Sequence, residues 1–118
     1  MTDAQFQQIV RFEMKEGQFQ QAVIDLARWT GWRAFHPRTV HTAQGRHLTA
    51  YIGDKGFPDL VLVHERRGVI FAELKSNQGR LDQHQEDWGR DLTNAGAEYH
   101  VWRPKDWETI KERLRSKQ

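Results

Sequence analysis

The triplet Glu73-Leu74-Lys75 closes Val69-Ile70-Phe71-Ala72-Glu73-Leu74-Lys75, a segment rich in β-branched and aromatic residues. Strand alternation puts Glu73 and Lys75 on one face, next to apolar Phe71, and Leu74 on the other. A second segment of this kind, Asp59-Leu60-Val61-Leu62-Val63, precedes it, and Glu65-Arg66-Arg67-Gly68 between them reads as a turn, so a β-hairpin is predicted. A three-residue connection sets Asp59 opposite Glu73, with Cβ atoms roughly 5 Å apart. Like charges so placed destabilise a sheet, and the pair therefore needs a cation, either Lys75 or a bound metal. Mg²⁺ suits two carboxylates and a backbone carbonyl, because it prefers oxygen ligands and keeps waters that leave room for a phosphate oxygen. Lys75 beside them could orient or help deprotonate an attacking water. Two other readings stay open: Glu-x-Lys is also an ordinary salt-bridged pair on an exposed strand, and a one-residue slip in register would turn Asp59 to the opposite face.

A third acid and an amide lie on predicted helices. Glu16 precedes Phe19 by three residues and Val23 by seven, on the core-facing stripe of a helix, where an unpaired carboxylate is costly. Glu13 competes for the role one turn earlier, and Glu16 also reads as an exposed acid favourable to a helix start. Gln85 interrupts the apolar stripe between Leu81 and Trp88, either facing the acids or at the stripe's edge.

Six further elements surround these groups. Phe19, Ala22, Val23, Leu26 and Ala27 recur at helical spacing, and Gly31 supplies a stop, which predicts a helix over about 17–30. A shorter helix from Asp3, carrying Phe6, Ile9 and Val10, is expected before it, with Gly17 at the break. Residues 32–35 read as a short strand. The stripe Leu81, Gln85, Trp88, Leu92 and Ala95 predicts a helix with Asp82 as N-cap and Gly96 as stop. Residues 98–102 then read as a strand, and Pro104 opens a final helix with Trp107, Ile110 and Leu114.

The chain has 118 residues and a net charge of only +2, which taken alone argues weakly against a nucleic-acid partner. The total conceals a gradient. From Leu26 to Gly53 there is no Asp or Glu, whereas Arg28, Arg33, Arg38, Arg46, His36, His41 and His47 all fall there. Pro37 to about Ala50 shows no periodicity and reads as a long loop, either functional or simply solvated. Arg38, Arg46, His47 and Lys55, with Arg66 and Arg67 of the hairpin turn, are the candidates for touching phosphates. A zinc site from His36, His41 and His47 fails on spacing. The absence of cysteine excludes disulfides, thiolate catalysis and Cys-based metal sites, and suits a reducing compartment. No apolar run reaches a membrane span, so a soluble, cytoplasmic protein of one domain is expected.

Together these residues carry a resemblance: Glu16, then Gly56-Phe57-Pro58-Asp59, then Glu73-Leu74-Lys75, then Gln85 in the following helix. The chain resembles the PD-(D/E)xK nuclease superfamily, and within it the VRR-NUC branch of virus-type replication and repair nucleases, from about Lys15 to Ile110. That likeness implies an α/β, restriction-endonuclease-like αβββαβ core, a mixed sheet flanked by helices, with an extension over about residues 1–15. It implies that Asp59, Glu73 and the Leu74 carbonyl ligate Mg²⁺ or Mn²⁺, that Lys75 positions the water, that Glu16 completes the acidic cluster and that Gln85 supports the site. It further implies a dimeric, metal-dependent endonuclease acting on branched DNA such as Holliday junctions, in a bacterial or phage-infected cell. A restriction-like or nicking subunit and a binding module that has lost turnover are the alternatives.

Overall fold

The computed structural model describes residues 2–5, 14–37, 40–41, 47–48 and 52–116. The helix expected around Phe6, Ile9 and Val10 lies outside these residues, as does Glu13.

Four-residue steps line up Phe19, Val23 and Ala27 along one face of α1 (Glu16–Trp29), and all three are fully buried. The Thr30 hydroxyl caps the helix end by donating to the Leu26 and Ala27 carbonyls (2.8 and 3.1 Å). Gly31 then turns the chain through φ +95°, and β1 (Arg33–Phe35) follows. Within the stretch read as a loop, β2 (Val40–His41) pairs antiparallel with β3 (His47–Leu48). This corrects the reading of an element-free loop; strands of two residues are too short to show alternation.

The predicted hairpin forms from β4 (Leu60–His64) and β5 (Gly68–Leu74), in the expected register: Leu60 faces Ala72 and Val61 faces Phe71. The chain then passes through α2 (Gln83–Asn94) into β6 (Glu98–Trp102), which runs parallel to β5. The sheet order is β1-β4-β5-β6, with its other pairs antiparallel, so the sheet is mixed and the fold α/β as expected. Pro104 opens a 3₁₀ turn (Pro104–Asp106) ahead of α3 (Trp107–Arg115).

The core lies on one face of the sheet. Leu60, Leu62, Ile70, Ala72, Leu74 and Trp102 meet α1 there, together with Trp107, Ile110 and Leu114 of α3. Each large side chain so buried stabilises the fold by about 1.5–3 kcal/mol. On the other face α2 packs over β5 and β6, close enough that a Cβ on Gly89 would come within 2.5 Å of the Tyr99 ring. Phe35, Val63 and Val69 remain exposed on the rest of that face.

Two arginines join the helix ends to the hairpin turn. Arg67 donates to the carbonyls of Thr30 and Leu114 (3.1 and 2.7 Å), close to the C-terminal ends of α1 and α3. Arg113 donates to both carboxylate oxygens of Glu98 (2.7 and 2.8 Å) and to the Arg67 carbonyl (2.8 Å), and its guanidinium lies 5.2 Å from the Trp32 ring centroid. No described helix is long and apolar enough to cross a membrane.

Candidate active site

Strand direction brings the chemistry to one end of the sheet. β5 runs toward that end and finishes at Leu74, so Lys75 stands on its rim; β4 starts there, with Asp59 just ahead of it. Continuing the ladder one step beyond Leu60 and Ala72 sets Asp59 beside Glu73.

The turn that delivers Asp59 is held from three sides. Gly56 has φ +94°, and a Cβ there would lie 2.5 Å from the main-chain carbonyl carbon of His84, so the turn rests directly on the first turn of α2. Pro58 is fully buried and fixes φ next to the acid. His36 Nδ1, just past β1, donates to the Asp59 carbonyl (2.6 Å). The Asp59 side chain is oriented in turn, since its Oδ2 accepts from the Leu74 N–H (2.9 Å). A strand residue's N–H and C=O point to the same edge, so the Leu74 carbonyl is directed toward Asp59 as well.

Glu73 is 1% exposed. Its Oε1 accepts from Gln85 Nε2 (3.2 Å), while no donor reaches Oε2, and the neighbouring Asp59, an acceptor when ionised, has none to offer. Burial, and after it the proximity and charge of Asp59, push the Glu73 carboxyl up to about 9, against the opposing charge of Lys75. Tyr99, on the same face of the neighbouring strand, responds to the same field. Burial and then the charges of Glu73 and Asp59 push its phenol up to about 12. The Lys75 main chain is anchored by donation to the Trp102 carbonyl (3.0 Å), which carries the β5–β6 pairing one residue past Leu74.

This donor set fits a hard divalent cation. Two adjacent carboxyl groups, one with a buried oxygen that lacks a donor, stand beside a backbone carbonyl and offer only oxygen atoms as ligands, and a cation can take the place of the proton that burial holds on Glu73. Among the described residues, which do not include Glu13, no group of three or more His, Asp or Glu side chains is gathered to hold an ion. Glu16 opens α1 at the same end of the sheet, because α1 turns tightly into β1 and β1 runs toward that end. α1 covers the opposite face from Gln85, so Glu16 and Gln85 start their helices on opposite sides of the sheet.

The expected phosphate contacts separate. Arg38 and Arg46 lie outside the described residues, and for His47 only the backbone is described, in β3. Lys55 is exposed in the turn before Gly56, beside a hollow lined by Asp54, His84, Asp87 and Trp88. Arg66 and Arg67 sit at the far end of the hairpin, roughly 20 Å from the acids along the strand. Arg66 is exposed, and the Arg67 guanidinium is taken up by helix carbonyls. Sequence reasoning missed His36 as the anchor of Asp59; its position directly after a predicted strand was the only signal. It also missed Tyr99, whose burial depends on the distant Gly89.

Comparison with curated proteins finds no match. A family model described as the VRR-NUC domain matches residues 6–106, a span that contains Asp59, Glu73, Lys75 and Gln85. The chain therefore belongs to the VRR-NUC family of nuclease domains.

Proposed function

We propose that this nuclease domain is a Mg²⁺-dependent endonuclease, also served by Mn²⁺, that hydrolyses DNA phosphodiester bonds and acts as a homodimer on branched DNA of the Holliday-junction type. The observation that carries the reading is the buried Glu73 carboxyl group, one oxygen without a donor, beside Asp59 and two residues from Lys75. Such an arrangement is costly in a folded protein unless a proton or a cation neutralises it.

Asp59, Glu73 and the Leu74 carbonyl would hold the ion, with Glu16 reinforcing the negative field from the α1 side. When bound, the metal would supply positive charge to the phosphate and lower the pKa of its water. Lys75 presents an ammonium at the rim, where it steers a water in line with the scissile bond and offsets charge on the phosphate oxygens. Gln85 fixes one oxygen of Glu73 so that the other stays available. Lys55, Arg38, Arg46 and His47 are the candidates for the DNA backbone, and such contacts without base reading make binding steeply salt-dependent.

The test is incubation of the purified protein with labelled four-way junctions, flaps, splayed arms and linear duplex in Mg²⁺ or Mn²⁺, alongside Asp59→Asn and Lys75→Ala. Symmetrical cuts on the junction that vanish in both variants support the reading. Variants that cut as well as the parent refute the site assignment, and binding without cleavage by the parent favours a module that has lost turnover. A mass in solution of twice the 14.0 kDa chain supports the dimer.

A further inference from the structure

The turn that carries Asp59 also carries a partly exposed aromatic residue, Phe57, which is 39% exposed. It packs edge-on against Trp88 (centroids 5.1 Å apart, planes at 87°) and against Phe71 (6.1 Å, 88°). Trp88 is itself fixed by donating its indole N–H to the Asp54 carbonyl (3.3 Å). Phe57 lies between Gly56, which rests on the α2 backbone, and Pro58, which is fully buried, so its main chain has little freedom left to lose. The chain thus holds a preorganised aromatic surface open to solvent.

Its position relates it to the acids. Phe57 precedes Asp59 by two residues, and its partner Phe71 precedes Glu73 by two on the same face of β5, about 7 Å along the strand. That separation is comparable to the distance between a nucleotide's phosphate and the ring of its own base. A phosphate lodged at Asp59, Glu73 and Lys75 therefore brings its base within reach of Phe57. A paired base in a duplex keeps its faces stacked on its neighbours, whereas an unpaired base has a face free for a protein ring.

We infer that Phe57, braced by Trp88 and Phe71, is a stacking platform for a nucleobase that leaves the stack next to the scissile phosphate, so that the site favours DNA with an unpaired or unstacked base at the branch over continuous paired duplex. The inference rests on the nuclease reading above and deepens it by naming what the site recognises beyond phosphate.

The test separates the two. In the full-length Asp59→Asn protein, affinity is measured at one fixed salt concentration for a fully paired duplex and for the same duplex with a single unpaired nucleotide. The expected result is tighter binding to the second DNA, a preference reduced on the order of tenfold by Phe57→Leu and retained by Phe57→Tyr, with affinity for paired duplex unchanged. Melting curves for both variants establish that they fold, and Trp88→Leu, which removes the bracing ring, is expected to weaken the same preference. A preference untouched by Phe57→Leu, or equal binding to both DNAs, overturns the platform while leaving the nuclease reading intact. Failure to bind either DNA overturns both. A change in solution mass on Phe57→Leu places the ring in a subunit interface and also overturns the platform.

Discussion

Gln85 reaches from the first turn of α2 to the buried acid of β5: its Nε2 donates to Glu73 Oε1 (3.2 Å), while its own Oε1 accepts from the Asp82 main-chain N–H (3.0 Å). The reciprocal bond from the Gln85 N–H to Asp82 Oδ1 (2.9 Å) completes a capping box. One side chain therefore starts the helix and orients the acid, and both ends of its amide are committed.

Gln85→Leu removes both functions. The folded state is expected to lose about 1–2 kcal/mol from the cap and the lost bond to a buried oxygen. Losing a partner that orients a metal ligand typically costs about 10- to 100-fold in metal affinity. Titrating Mg²⁺ against melting temperature reads both effects, as a lower starting point and as a midpoint shifted to higher concentration.

The raised Glu73 carboxyl makes the metal-free protein pH-sensitive. Between its ordinary value of 4.5 and about 9, the folded state holds a proton that the unfolded state has released. Stability is therefore full below about pH 4.5 and falls as pH rises toward 9. Glu73→Gln, which keeps an acceptor for Gln85 and adds a donor toward Asp59, should flatten that slope. At pH 8 in EDTA it is expected to melt about 5 °C above the parent, while losing any stabilisation by Mg²⁺. A parent whose melting temperature is level from pH 5 to 8.5 would contradict the environment assigned to Glu73.

Much of this site is legible in the chain because its logic is local. Alternation and a three-residue turn are enough to set Asp59 beside Glu73, and Asp82 with Gln85 shows a helix start from composition and spacing. What is hidden depends on residues far apart in sequence. His36 meets Asp59 across 23 residues, and Arg67 reaches Leu114 across 47. Arg67 illustrates the ambiguity well: on a charged turn, an arginine reads equally as a phosphate contact or as a cap for helices whose ends arrive from elsewhere. The place of the third acid is less legible for a related reason. Helical spacing places Glu16 on the core-facing stripe but does not say on which side of the sheet the helix will lie.

Gly56→Ala tests how closely the Asp59 turn rests on α2. The new Cβ would meet the His84 carbonyl carbon at 2.5 Å and its oxygen at 2.6 Å, in a backbone region that alanine disfavours. Neither neighbour can yield, since both are helix backbone. The expected loss is more than about 2 kcal/mol of stability, and in whatever fraction folds, Mg²⁺ no longer raises the melting temperature as it does in the parent.

The Glu98 carboxyl is held below its usual range, first by the hydrogen bonds from Arg113 and then by His100, against a partial burial that acts the other way. A lowered folded-state value means stability that is present above about pH 4.5 and lost on acidification through the folded value. Arg113→Met is expected to cost about 2–3 kcal/mol at pH 7, because it leaves Glu98 without its forked partner and frees the Arg67 carbonyl. The difference from the parent should shrink below pH 4, as chemical denaturation at the two pH values will show.

Arg67→Ala separates a structural arginine from one that binds DNA. The Arg67 guanidinium already donates to Thr30 and Leu114, at the far end of the hairpin from the acids, so it is not free to meet a phosphate there without giving up bonds to two carbonyls near the helix ends, of which that of Leu114 keeps a second donor, Trp32 Nε1 (3.0 Å). Its removal should lower stability by about 1–2 kcal/mol. The affinity for DNA and its dependence on salt should stay as in the parent, because no phosphate contact has been lost. Arg66→Ala, in the exposed neighbour, is expected to change neither stability nor salt dependence. A lysine or arginine that does contact a phosphate behaves differently: its loss reduces the slope of log K against log salt by about 1. Lys55→Ala is the matched comparison, exposed beside the turn that leads into Asp59, and is expected to show that reduction with little change in melting temperature. A reduced slope for Arg67→Ala at undiminished stability would mean that the guanidinium leaves its carbonyls to bind DNA and that the interface extends along the whole hairpin.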